Sequence, residues 1–352
     1  MKLDFIIDSL DGGGAERVMA TLINSLSNEN DITLITLNPG SKYPINKNIT
    51  KIDLHHGSLK NHTLRSLKNL FSYYQKKQKR PDFIIVFLPE NALYTIPISK
   101  FYGIKVIVSE HTNHTANVTR KRKISRKLVY PFATGVTVLT SFDFKYFKKI
   151  NKNTFIMPNP VILNEKITDY EERKKSIIAA GALNRYKDKG FDSLLRITAP
   201  LLQNHTDWNL IILGGGEKGI SALKNLSKEL KIENQLILPG FCENINEVMQ
   251  ESQIFVLTSK FEGLPMVLME ALSNGLACIA YDCVSGPRDL INNEKNGLLI
   301  EDQNSTAFQQ ALENLLIDSE LRKKIAAAGP SSMKPYNLPE IVKKWHQLFN
   351  QL

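Results

Sequence analysis

Short apolar runs recur along this chain, each closed by a glycine-rich or polar turn and often followed by helical periodicity. Residues 3–7, 32–37, 83–88, 105–109 and 135–139 predict strands, and residues 15–27 predict a helix after the first of them. The segment Met157-Pro-Asn-Pro-Val161 interrupts the alternation, because two prolines exclude regular structure there. The polar stretch 164–175 reads as a linker. The alternation then restarts, with strands at 176–180, 208–213, 236–238, 254–258, 277–280 and 297–300, and helices at 221–230 and 247–251. Two helical patterns, 305–318 and 339–352, close the chain, separated by Gly329-Pro-Ser-Ser. Strands that alternate with helices predict parallel, doubly wound sheets. The expected organisation is two similar α/β domains, 1–160 and 161–336, joined by a proline-rich hinge.

Length supports two domains: 352 residues exceed what one core of this class usually serves. No apolar run approaches the ~20 residues of a membrane span. Asp4 and Asp8 interrupt the first apolar stretch, which argues against a secretory signal and for a cytoplasmic protein. Cys242, Cys278 and Cys283 lack zinc-type spacing, so they read as reduced thiols.

Charge changes the picture more. The net charge is +10, yet residues 1–165 hold 24 Lys and Arg against 12 Asp and Glu. The excess concentrates in Lys76-Lys-Gln-Lys-Arg80 and in Arg120-Lys-Arg-Lys-Ile-Ser-Arg-Lys127. A nucleic acid, an anionic membrane surface, a diphosphate substrate or a plain solvated face would each account for such runs. Leu128-Val-Tyr-Pro-Phe132 follows the second run and places apolar and aromatic groups beside the cations, which favours a membrane interface.

Candidate chemistry clusters at strand ends, where open α/β sheets bind ligands. Leu10-Asp-Gly-Gly-Gly-Ala-Glu-Arg17 follows the first strand, and Gly13 and Gly14 would let backbone approach a ligand at the helix start. Arg17 stands where a dinucleotide fingerprint needs its third glycine, which argues against a nicotinamide or flavin site. Ser109-Glu-His-Thr-Asn113 offers Glu110 and His111; the histidine could orient a substrate hydroxyl or take its proton, or could merely pack. Arg185, Lys187 and Lys189 are close enough in sequence to converge on a diphosphate. Gly214 and Gly215 follow another strand, as does Phe241 in Leu238-Pro-Gly-Phe-Cys242. The most informative run is Lys260-Phe-Glu-Gly-Leu-Pro-Met-Val-Leu-Met-Glu270. It predicts a strand, a loop carrying Glu262, and a helix with Glu270 in its second turn. A helix start beside carboxylates suits a phosphate and sugar hydroxyls.

Phe261-Glu-Gly-Leu-Pro through Glu270 resembles the E-x7-E signature of glycosyltransferase family 4. Gly12-Gly-Gly-Ala-Glu-Arg17, Ser109-Glu-His111, Ser285-Gly-Pro-Arg-Asp-Leu-Ile291 and Asn296-Gly-Leu-Leu299 resemble its bacterial polysaccharide and glycan-assembly members. The resemblance runs over nearly the whole chain in the same order. It implies a GT-B fold, two Rossmann-like doubly wound domains facing a cleft, 1–160 binding acceptor and 161–336 binding nucleotide sugar, with the C-terminal helix 337–352 packing back on the first. It implies that Glu270 binds the ribose and Glu262 the donor sugar. Gly263, Leu264, Pro265, Met266, Val267, Gly214, Gly215 and Phe241 would complete the donor site. Arg185 and Lys189 would hold the diphosphate, and His111, Glu110, Gly13 and Gly14 would face the acceptor. The family usually carries an arginine where Ala182 stands, and Arg185 is the candidate to replace it.

The implied activity is a metal-independent, retaining transfer of a hexose or N-acetylhexosamine from a UDP-sugar to a lipid-linked saccharide, without a cofactor. The product would be a surface polysaccharide, lipopolysaccharide or glycan precursor. The expected partners are the nucleotide sugar, the lipid-linked acceptor and an anionic membrane surface, not nucleic acid. The enzyme would be cytoplasmic and peripherally attached to the membrane. A GT-B nucleotide-sugar epimerase and a non-catalytic nucleotide-sugar- or nucleic-acid-binding protein are the alternatives.

Overall fold

The computed structural model describes residues 1–116, 119–164 and 167–352. The chain divides into two compact units, Met1–Pro160 with Leu338–Leu352, and Val161–Asn337.

In the first unit, β1 (Lys2–Ile7), β2 (Asp31–Thr36), β3 (Thr50–Asp53), β4 (Phe83–Phe87), β5 (Lys105–Ser109), β6 (Gly135–Val138) and β7 (Thr154–Ile156) form one sheet in the order β3-β2-β1-β4-β5-β6-β7. Every ladder in it is parallel. Helices α1 (Gly14–Leu26), α2 (His62–Gln75), α3 (Pro89–Tyr102), α4 (Arg120–Leu128) and α5 (Ser141–Lys148) join these strands. A parallel sheet needs both faces covered, and that is why β4 is apolar and buried at every position. Ile6, Ile84, Val86, Val106, Val108 and Val136 pack in one core with helix residues such as Leu70 and Phe147.

The second unit repeats the design. Its strands are β8 (Lys174–Ala180), β9 (Asn209–Leu213), β10 (Leu236–Gly240), β11 (Ser252–Leu257), β12 (Ala277–Tyr281) and β13 (Leu298–Ile300), in the order β10-β9-β8-β11-β12-β13. These ladders are parallel too. The helices are α6 (Phe191–Asn204), α7 (Glu217–Glu229), α8 (Ile245–Gln250), α9 (Met266–Ser273), α10 (Pro287–Leu290), α11 (Ser305–Ile317) and α12 (Ser319–Ser332). The last helix, α13 (Leu338–Gln351), belongs to the first unit, where it contacts α1 and sets Phe349 5.4 Å from Phe83.

Three features depart from the reading of the sequence. Strands β3 and β7 carry no apolar run, because each lies at a sheet edge and is short. Gly329-Pro330 does not separate two helices but lies inside α12. A Cβ on Gly329 would stand 2.6 Å from the Leu272 carbonyl oxygen, so this glycine serves the close packing of α12 on α9. The stretch 164–175 is not a free linker in its described part; Glu165 and Lys166 lie outside the described residues. Arg173 is buried and donates to the carbonyls of Gly275 at 2.8 Å and Asn274 at 2.9 Å. Tyr170 donates its hydroxyl to the Gln253 carbonyl at 2.8 Å, so the stretch is pinned to the second unit.

Candidate functional site

The strand order of the second unit reverses at β8, with β9 on one side and β11 on the other. Loops leaving the carboxyl ends of such neighbours diverge and leave room for a ligand. Here they are also tied together. Thr258 donates its hydroxyl to the carbonyls of Lys189 and Gly190, and the Lys260 amide donates to the Asp188 carbonyl at 2.9 Å. The Leu183 amide donates to the Gly215 carbonyl at 2.9 Å, and the Gly214 amide to the Gly240 carbonyl at 2.8 Å. Ser285 donates to the Gly263 carbonyl at 3.1 Å. Loops after β8, β9, β10, β11 and β12 therefore form one edge.

Several glycines in it admit no substitute, Gly214 and Gly190 the most tightly confined of those with positive φ. Gly214 has φ +147°, and a Cβ there would lie 1.8 Å from the Gly181 carbonyl oxygen. Gly190 has φ +67°, and its Cβ would lie 2.1 Å from the Thr258 carbonyl oxygen. Both are left-handed or neighbouring conformations that L side chains rarely adopt.

The charged residues sit on this frame. Lys189 places Nζ 2.6 Å from Oε1 of Glu262, with side chains only 19% and 11% exposed. Arg185 is held by Asp188, Nε to Oδ2 at 3.0 Å, and its guanidinium lies 5.6 Å from the Phe261 ring centroid. Glu262, Gly263 and Leu264 lead into Pro265, which caps α9, and Met266 and Val267 open the helix. Pro at this boundary sacrifices no helical hydrogen bond. Glu270 is buried in the second turn. Phe241 is 64% exposed beside Gly215 and offers an aromatic face at the same edge. This geometry can take an anion at the α9 start and Lys189, with a carboxylate at hand for hydroxyls. Asp188 and Thr258 were not legible as site residues. Their work is to position Arg185 and Gly190, and no spacing rule marks a hydroxyl that bonds a carbonyl 68 residues away.

The first unit corrects one expectation. Glu110 does not face an acceptor. It is 2% exposed, Oε2 accepts from Arg126 Nε at 3.0 Å and from the Tyr130 hydroxyl at 3.0 Å, and Oε1 accepts from the Thr112 amide. His111 is half-buried at the end of β5. Its ring stacks on Phe87 with centroids 4.5 Å apart, and burial pushes its pKa down to about 3. Thr137 donates to Ser109 Oγ at 3.1 Å, and Ser109 in turn stands 3.1 Å from His111 Nε2. Gly13 caps α1 and Gly14 begins it, at the carboxyl end of β1, where the sheet order also reverses.

Residues 12–165 match the family model described as Glycosyltransferase Family 4, and residues 163–332 match that of Glycosyl transferases group 1. The amylovoran biosynthesis glycosyltransferase AmsD of Erwinia amylovora is 29% identical, over 99% of each chain. A Campylobacter jejuni alpha-1,4-N-acetyl-D-galactosaminyltransferase, named for GalNAc-alpha-(1->4)-GalNAc-alpha-(1->3)-diNAcBac-PP-undecaprenol, is 26% identical over 100% of this chain and 99% of its own. In fold, the chain is similar to Anabaena HepE, solved with UDP and glucose, with a TM-score of 0.85, 16% identity and full coverage of both. Two parallel α/β units matched in this way define a glycosyltransferase of the GT-B fold. The chain belongs to glycosyltransferase family 4.

Proposed function

We propose that this enzyme transfers a hexose or N-acetylhexosamine from a UDP-sugar to a lipid-linked saccharide during bacterial polysaccharide or glycan assembly, with retention of anomeric configuration. The observation that carries this reading is the Lys189–Glu262 pair, set among five strand-end loops at the start of α9. Relatives matched end to end are named for amylovoran synthesis and for an undecaprenol-linked acceptor, which supports the acceptor class. In this reading Glu270 takes the ribose hydroxyls and Glu262 the donor sugar. Lys189 and Arg185 take the diphosphate and stabilise charge as the glycosidic bond breaks. A screen of UDP, GDP, ADP and their sugars by thermal unfolding tests it, because a ligand of the native state raises stability. UDP and one UDP-sugar should raise Tm most; a shift with GDP or ADP alone would exclude the donor class.

Fixed cations at the diphosphate make a divalent ion unnecessary, so transfer should persist in excess EDTA. Strict dependence on added magnesium or manganese would remove this role from Lys189 and Arg185.

Among the described residues no helix is long and apolar enough to cross a membrane. Peripheral attachment through α4 is part of the proposal. Arg122 is engaged with Glu90 at 2.5 Å and Arg126 with Glu110, whereas Arg120 and Lys121 are exposed. Leu128 and Phe132 beside them are 58% and 61% exposed. Each cation near an anionic surface contributes ~1 kcal/mol. Replacing Arg120, Lys121, Leu128 and Phe132 with Ser should therefore weaken sedimentation with anionic vesicles by more than about tenfold, leaving UDP affinity unchanged. Equal binding to neutral and anionic vesicles, insensitive to salt, would leave these residues as solvated surface.

A further inference from the structure

The first unit contains a cavity of about 870 Å3 between α4 and α5 that the donor loops do not explain. Lys123, Arg126, Lys127 and Lys149 line it, together with His114, Thr115 and Tyr146, and no acidic side chain does among the described residues. The carboxylates nearest this wall are already neutralised or committed. Glu110 is bonded to Arg126, and Asp143 accepts from the His114 amide, from His114 Nδ1 at 2.7 Å and from the Thr140 hydroxyl.

The histidine is built in rather than loosely exposed. Its ring lies between Phe142 and Tyr146, with centroids 4.8 and 4.4 Å away and an angle of only 11° to Tyr146. Asp143 accepts from Nδ1, so the ring donates to an anion in the cavity through Nε2 only as the doubly protonated imidazolium. A rigid imidazole and three exposed lysines around a concave surface match a compact multivalent anion, not an extended one. The volume falls in the range of small-molecule sites.

We propose that this cavity binds a phosphate ester or diphosphate, held by Lys123, Lys127, Lys149 and His114. It is a second anion site, carried by the unit that lacks the Lys189–Glu262 pair. For the source of its ligand it rests on the proposed function: a lipid-linked acceptor and the bilayer around it both present phosphate groups. The shared chemistry is the phosphate, and the test separates the sources.

Inorganic diphosphate is titrated into the full chain by calorimetry with UDP in saturating excess, so that the donor loops are occupied. Saturable binding at one site is expected. Lys127→Ser with Lys149→Ser should weaken it at least about tenfold, the cost of lost charged hydrogen bonds, without changing the UDP-induced shift in Tm. His114→Gln should weaken it as well; if that variant fails to fold, the exposed lysines keep the test decisive. Vesicles of neutral lipid doped with a polyprenyl diphosphate, and vesicles containing phosphatidylglycerol, are then used as competitors. Displacement by the first alone assigns the site to the acceptor, by the second to bilayer headgroups, and by neither to a soluble phosphate ester. Absence of saturable binding, or unchanged affinity in the lysine variant, overturns the site. Loss of the UDP shift with lysine-dependent diphosphate binding intact would instead overturn the donor reading alone.

Discussion

Lys189→Ala should lower the rate of sugar transfer by about a hundredfold to a thousandfold, the range seen when one preorganised donor to developing charge is removed. The cation sits 2.6 Å from Glu262 in a position largely shielded from solvent, so water cannot replace it at full strength. Lys189→Arg should recover only part of the loss, because the close approach of Gly190 to the Thr258 carbonyl fixes the loop backbone and leaves it no freedom to shift for the longer side chain. Glu262→Ala should chiefly reduce turnover. Glu270→Ala should instead weaken UDP binding by about tenfold to a hundredfold, equivalent to ~1.5–3 kcal/mol for a charged hydrogen bond. Steady-state kinetics and UDP titration separate the two effects. Wild-type transfer by both Lys189→Ala and Glu262→Ala would remove the pair from the mechanism.

The same edge shows why local sequence carried the site only so far. Glu262, the break at Gly263 and Pro265, and Glu270 in the following helix are neighbours in sequence, and the strand–loop–helix that presents them follows from pattern and turn chemistry. Lys189 and Glu262 are 73 residues apart, and nothing in either segment announces the other. Their meeting depends on β8 and β11 being adjacent, a consequence of the order in which strands enter the sheet. The buried strands were legible because a parallel sheet demands apolar residues on both faces. Edge strands β3 and β7 escape that demand and so escaped notice. Glu110 misled for a related reason. A carboxylate at a strand end reads as a ligand-facing group, and the residues that claim it, Arg126 and Tyr130, lie in what looked like a surface basic run.

That buried pair gives the largest expected effect on stability. Arg126→Ala should destabilise the fold by ~3–5 kcal/mol, because it leaves Glu110 inside the first unit without its counter-charge. Burial already pushes the Glu110 carboxyl above the ordinary carboxylate range, and Arg126 is the strongest influence opposing that shift. Without the arginine the folded-state pKa rises further. A carboxyl whose pKa is higher folded than unfolded binds more protons in the folded state, so its contribution is fully present below the unfolded pKa and disappears as pH rises through the folded one. The Tm deficit of Arg126→Ala should therefore be smaller at pH 5 than at pH 8. Arg126→Met combined with Glu110→Gln should recover much of the loss, since two uncharged groups of similar volume leave no buried ion behind. The Tyr130 hydroxyl would still find the amide oxygen at position 110. A deficit that is the same at both pH values, and the same in the double variant, would place the cost in the packing of Arg126 over the Phe147 ring, 5.3 Å away, and not in the ion pair.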